Sequence, residues 1–178
     1  EAVARARDEM RRETGRRVPI LVKVSPDETL ERLDAIADAA LAGGADGFIA
    51  TNTTVSRPSV ESHPSGAEAG GLSGAPVRDL AERACARLYL RVGKRLPIIG
   101  VGGITSADDA YRRIRAGASL VQIYTALVYG GPSVVRVIHD GLANLLERDG
   151  LTLAGAVGTD ADSYELRDRT PARTPSGT

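Results

Sequence analysis

The 178 residues, 42% of them hydrophobic, suffice to bury the core of one ordinary domain. The 23 basic and 23 acidic residues cancel and 3% of residues are aromatic, so neither the net charge nor the stacking surface of a nucleic-acid binder is there, and no nucleic-acid partner is expected. No apolar run approaches the roughly 20 residues that span a bilayer, and the charged N-terminus does not read as a signal peptide.

Residues 1–14, rich in Ala, Arg and Glu, predict an amphipathic helix that stops at Gly15. A chain that opens inside such a helix reads as a piece of something longer. Val18 to Val24 predicts a strand, and Ser25, Pro26, Asp27 and Glu28 then form a capping-box arrangement with Pro at the first helical position. Leu30, Leu33, Ala37, Ala40 and Leu41 trace one face of the next helix, which stops at Gly43-Gly44, and Gly47 to Thr51 predicts the second strand. The stretch from Val55 to Gly74 is dense in Ser, Pro, Gly and Ala and longer than a common connection, so a functional lid or a disordered segment is expected.

Pro76 opens a further helix with Leu80, Ala84 and Leu88 in register and Gly93 at its end. The single cysteine, Cys85, falls inside it and reads as a buried residue in a reducing compartment. Pro97 to Ile104 predicts a third strand running into glycines, Ser106 caps the following helix with Asp109 three residues on, and Gly117 closes it. Ser119 to Tyr124 predicts the fourth strand and Pro132 to about Leu146 its helix. Residues 1–150 thus read as one α/β unit and residues 151–178 as a polar C-terminal tail, its last dozen residues disordered.

Strict alternation of strand and helix, with strands that are continuously apolar, predicts a parallel sheet covered by helices. Such proteins gather their sites at the carboxyl ends of the strands, where each apolar run turns polar. Here those positions are Lys23, then Thr51, Asn52 and Thr53, then Gly102 and Gly103, then Tyr124 and Thr125. An ammonium between Val22 and Val24 is costly unless a counter-charge or an electron-rich ligand meets it, so Lys23 serves either a salt bridge or a binding site. Thr51, Asn52 and Thr53 offer neutral donors and acceptors suited to a small heterocycle or a carboxylate, and equally to a turn. Gly100-Val101-Gly102-Gly103 precedes a helix and lets backbone amides approach a phosphate, or simply makes a tight turn. His63 and His139 have no neighbours at metal-ligand spacing, so no metal site is expected.

The motifs LVKVSPD, DGFIATNTT, GGLSGAP, RLPIIGVGGI and AGASLVQIYTALVYGGP, in that order and spacing, resemble class 2, quinone-dependent dihydroorotate dehydrogenase over roughly residues 5–150. The resemblance implies the C-terminal half of a TIM (β/α)8 barrel, its fifth to eighth units, in a fold that takes about 250 residues when complete. It implies FMN as cofactor, with Lys23 and Thr51 at the flavin, Gly74 beside it, and Gly103, Tyr124 and Thr125 around its phosphate. Asn52 and Thr53 correspond to the pair that binds orotate. The base of such enzymes is a serine upstream of the fifth strand, which nothing here matches; Ser25 and Ser73 sit in other motifs. The complete enzyme oxidises dihydroorotate to orotate with a quinone acceptor in pyrimidine synthesis, as a cytoplasmic protein peripheral to the inner face of the cell membrane. The missing N-terminal half of the barrel is then the expected partner. Two other readings stay open: an inactive fragment or half-barrel assembly module, and another flavin- or phosphate-binding barrel enzyme.

Overall fold

The computed structural model describes residues 2–57 and 60–168. Its strands are short: β1 (Leu21–Val24), β2 (Gly47–Ala50), β3 (Ile98–Val101) and β4 (Leu120–Gln122). Helix α1 (Ala2–Thr14) precedes β1, and α2 (Leu30–Ala42), α3 (Arg78–Val92) and α4 (Ala107–Arg115) follow the first three strands in turn. After β4 come α5 (Thr125–Gly130), α6 (Ser133–Arg148), α7 (Leu153–Ala156) and α8 (Ala161–Asp168). The four strands pair in parallel in chain order, β1-β2-β3-β4, so α2, α3 and α4 are each a crossover to the adjacent place in the sheet. This is the wall of a β/α barrel rather than a doubly wound sheet, in which the strand order reverses.

Register divides the sheet into two faces. Val22 pairs with Phe48 and Phe48 with Ile98, while Val24 pairs with Ala50 and Ala50 with Gly100. These rows face the helices, and with Leu33, Ala37, Ala84, Cys85 and Leu88 they make the main apolar cluster. The other row is Lys23, Ile49, Ile99 and Leu120; it lies on the opposite face, and Leu120 is 58% exposed. Cys85 is fully buried, as expected, and burial pushes its thiol pKa up to about 12.

Several boundaries differ from the sequence expectation. The helix after β1 is not capped at Ser25; α2 begins three residues past Asp27, with Thr29 as its N-cap accepting from Arg32 N at 3.3 Å. The competing partner is distant in sequence, because Asp27 takes hydrogen bonds from the Thr54 hydroxyl and from Val55 N. The fourth strand ends at Gln122, and Tyr124 is the N-cap of α5, a helix not foreseen. The capping box of Ser106 and Asp109, in contrast, is formed as expected.

The long stretch after β2 carries a 3-10 turn at Pro64–Ala67 and a bridge between Thr54 and Leu72. Arg57 ties it together by donating to the carbonyls of Glu68 and Gly70. The polar residues after Leu151 hold structure as far as Asp168: α7 buries Ala156 against Tyr111 and Ile114, and α8 sets Ala161 and Tyr164 against Ala86 and Ala116. The disorder expected of the last dozen residues falls mainly on 169–178, which lie outside the described residues.

A polar clasp joins α4 to the end of α6. Tyr111 donates its hydroxyl to Asp149 at 2.7 Å and Arg148 donates to it at 2.8 Å. The Arg148 and Tyr111 hydrogen bonds, in that order, hold the Asp149 carboxyl at a pKa of about 2, below the ordinary 3.8. A carboxyl whose folded pKa is depressed adds stability above the unfolded pKa and loses it as pH falls through the folded one, so the window here is about pH 4 to 2. Urea unfolding midpoints of the wild type are expected to fall through that window by more than those of Asp149→Asn. Parallel curves for the two proteins would refute the clasp.

Candidate active site

The carboxyl ends of the four strands meet at one rim, around a cleft of about 210 Å³. All nine residues singled out from the sequence line it: Lys23, Thr51, Asn52, Thr53, Gly74, Gly102, Gly103, Tyr124 and Thr125. Lys23 stands on the face opposite the helices and is exposed. It makes no ion pair with any described residue, so the salt-bridge alternative is not realised among them.

Thr51 to Thr53 are held by extension of the sheet past the strand ends. Thr51 N donates to Val101 O at 2.9 Å and Asn52 N to Val24 O at 2.8 Å, so the two adjacent strands clamp this turn from both sides. Thr51 is 2% exposed with its hydroxyl turned to Asn52 O, whereas Asn52 and Thr53 are exposed at the cleft. Below them Thr54 is fully buried and bonded to Asp27. Burial opposes ionisation of Asp27, but hydrogen bonds from Thr54, Val55, Ser56 and Ser25 outweigh it and hold the carboxyl below its ordinary range.

Across the cleft, Gly74 has φ of 83°, and a Cβ there would sit 3.2 Å from Thr125 Cγ2. Thr125 donates its hydroxyl to Ser73 Oγ at 3.0 Å, closing the rim between the long loop and α5. Gly102 and Gly103 have φ of 112° and 70°, and a Cβ on Gly103 would lie 2.6 Å from Arg78 Cβ. Glycine is therefore required at 103 by the turn and by packing alone. That turn also frees donors: the N–H groups of Gly102 and Gly103 bond to no described residue. Tyr124, 73% exposed, also lines the cleft.

Three polar residues at the cleft, Ser73, Thr105 and Gln122, were not foreseen. Gln122 had a signal, since a polar side chain in the apolar run of β4 parallels Lys23 in β1. Asp109, foreseen only as a cap partner, also organises the turn that follows the glycines. It accepts from Thr105 N at 2.9 Å, Thr105 Oγ1 at 2.8 Å and Ser106 N at 3.1 Å, and it pairs with Arg78 and Arg112. Arg78 in turn donates to Gly103 O at 3.0 Å. Burial opposes the charge on Asp109, yet the Thr105 and Ser106 bonds and the Arg78 charge keep its carboxyl below the ordinary range.

Asp109→Asn weakens charge-assisted bonds to three donors and two guanidiniums. A loss of about 2–3 kcal/mol in urea unfolding is expected, with faster hydrogen exchange at the Thr105 and Ser106 amides. Unchanged exchange at those two amides would show that the loop does not depend on Asp109.

A family model described as Dihydroorotate dehydrogenase matches residues 2–146. A relative named dihydroorotate dehydrogenase (quinone), from Anaeromyxobacter dehalogenans strain 2CP-C, is 57% identical over 143 residues, covering 80% of this chain and 39% of its own. A mitochondrial one of the same name from Oryza sativa subsp. japonica is 48% identical, covering 89% and 34%. The crystal structure of the Eimeria tenella dihydroorotate dehydrogenase in complex with ferulenol superposes with a TM-score of 0.77 at 43% identity, over 83% of this chain and 39% of that one. The chain thus spans 39% of the length of the first of these relatives, and its four β/α units are part of a TIM-barrel fold. With most of its length matched by the family model and its strand-end motifs gathered at one cleft, the chain belongs to the dihydroorotate dehydrogenase family.

Proposed function

We propose that this chain forms the flavin- and substrate-binding wall of an enzyme that oxidises dihydroorotate to orotate, with FMN as cofactor and a quinone as acceptor, in de novo pyrimidine synthesis. The observation that carries the reading is the convergence of all eight strand-end residues on one cleft within a chain of this family. The cleft fits FMN at both ends. Backbone N–H groups at Gly102 and Gly103 and an ammonium at Lys23, none paired with a described residue, suit a phosphate and an electron-rich ring respectively.

Bound FMN supplies the two-electron redox chemistry. Lys23 would hold a positive charge beside the ring, and Thr51 and Gly74 line the same wall. Gly103, Tyr124 and Thr125 would hold its phosphate. Asn52 and Thr53 present exposed amide and hydroxyl groups to the ring and carboxylate of orotate. The proton-abstracting serine is assigned to the longer enzyme and to no residue here: Ser25 accepts from Asp27 N, and Ser73 is bonded to Thr125. No helix among the described residues is long and apolar enough to cross a membrane. Attachment at the inner face of the cell membrane and access to the quinone are assigned to segments of the longer enzyme.

A second reading, a half-barrel module that acts only with a complementary half, is favoured by one observation: among the described residues β1 and β4 each pair on one side only. Titration of the purified chain with FMN, followed by flavin fluorescence and repeated with orotate and with an N-terminal half added, separates the two. Saturable binding by the chain alone supports a preformed site, and binding only after the other half is added supports the module. Competition by sugar phosphates but not by orotate would replace both with another phosphate-binding barrel enzyme. In the complete enzyme, Lys23→Ala is expected to weaken FMN binding or slow flavin reduction by about tenfold or more. Unaltered flavin content and reduction rate would remove Lys23 from the site.

A further inference from the structure

Arg113 leaves α4 and runs beneath β3 in a channel that only glycine permits. A Cβ at Gly100 would lie 2.3 Å from Arg113 Cγ and 2.9 Å from its Cδ. The guanidinium ends under the glycine loop, where Nη1 donates to Val101 O at 3.1 Å and Nη2 to Gly102 O at 2.9 Å and to Arg78 O at 3.3 Å. The residue is 0% exposed, and among the described residues its Nε has no hydrogen-bond partner and no carboxylate pairs with it. A buried guanidinium whose hydrogen bonds go to carbonyls alone is expensive, because its charge has lost water and formed no direct ion pair. The nearest carboxylates, Glu82 and Asp109, attract it but are themselves paired, Glu82 with Arg112 and Asp109 with Arg78 and Arg112.

Geometry says where that charge acts. In a trans peptide the C=O and N–H point in opposite directions. With the Gly102 carbonyl turned onto Arg113, the Gly103 N–H lies on the edge away from the guanidinium; Gly103 lines the cleft and this N–H has no described acceptor. We propose that Arg113 is a positioning residue for anion binding: it clamps the Val101 and Gly102 carbonyls so that the loop presents its amides to a phosphate, whose charge balances the buried cation. The identity of the anion as the FMN phosphate rests on the function proposed above. Packing against β3 needs only the alkyl stem, which Gly100 accommodates, and gives the charged end no task.

The test compares FMN with riboflavin, which has the same ring and no phosphate. Apoprotein of the full-length protein is titrated with each by fluorescence, as wild type, Arg113→Met and Arg113→Lys, with thermal unfolding of every variant. Arg113→Met is expected to weaken FMN about 10- to 100-fold and riboflavin by less than about twofold, with Arg113→Lys in between. Equal losses for the two ligands, or an FMN preference unchanged from wild type, would overturn the inference and leave the phosphate site standing. Should the Met variant not fold, Arg113→Lys carries the same comparison, since one ammonium cannot span three carbonyls. A wild type that binds riboflavin as tightly as FMN would refute the phosphate reading itself, and Arg113's role with it.

Discussion

Everything at the cleft depends on the parallel register of four strands. Because each helix returns the chain to the same edge before the next strand begins, every strand delivers its carboxyl end to one rim. The ladder also continues beyond the strands proper, through Asn52 N to Val24 O and Thr51 N to Val101 O. Side chains at 51–53 are thereby carried on backbone as fixed as the sheet itself, the condition for holding a small ligand in one orientation. The row of Lys23, Ile49 and Ile99 follows from the same register, which sends the ammonium away from the helical layer and toward the rim.

Loops at this rim are held by charged side chains, of which Asp109 and Arg113 are buried and Asp27 is exposed. Asp27 holds the turn after β2 through Thr54 and Val55, Asp109 holds the turn before α4 through Thr105 and Ser106, and Arg113 holds the glycine loop through three carbonyls. Each is an ion satisfied mainly by polar groups of the backbone or hydroxyls. Such arrangements cost desolvation and add little net stability, but they permit few alternative conformations of the segments they bind.

The C-terminal helices belong to the same arrangement. Tyr164 of α8 donates to Glu82 at 3.1 Å, Arg112 bridges Glu82 and Asp109, and Asp109 carries the Thr105 turn. A continuous run of hydrogen bonds therefore joins α8 to the edge of the cleft. Main-chain bonds from Gly158 to Ile114 and from Asp160 to Arg115 fix the segment to the end of α4. The glycine at 158 is itself a packing requirement, since a Cβ there would fall 2.1 Å from the Tyr89 ring.

The sequence by itself determined the alternation, the parallel sheet, the amphipathic faces of α2 and α3, the Ser106 cap and the eight strand-end residues, because these follow from local periodicity and from polar residues interrupting apolar runs. It could not determine which donors Asp27 would take: a local capping pattern at Ser25 lost to Thr54 and Val55, which are neighbours only once β1 and β2 are paired. Nor could it show that Arg113 is buried. In the run RRIR the three arginines look equivalent, and only the void over Gly100, created by packing α4 on β3, draws one of them beneath the loop while Arg112 stays exposed. The helices after Leu151 were hidden for the same reason. Their composition is polar, and what orders them is a few small residues, Ala156 and Ala161 among them, meeting surfaces that α3 and α4 present only in the folded chain. Periodicity records which face of an element is apolar, whereas the partner of a buried charge or of a small residue is chosen by contacts between segments far apart in sequence.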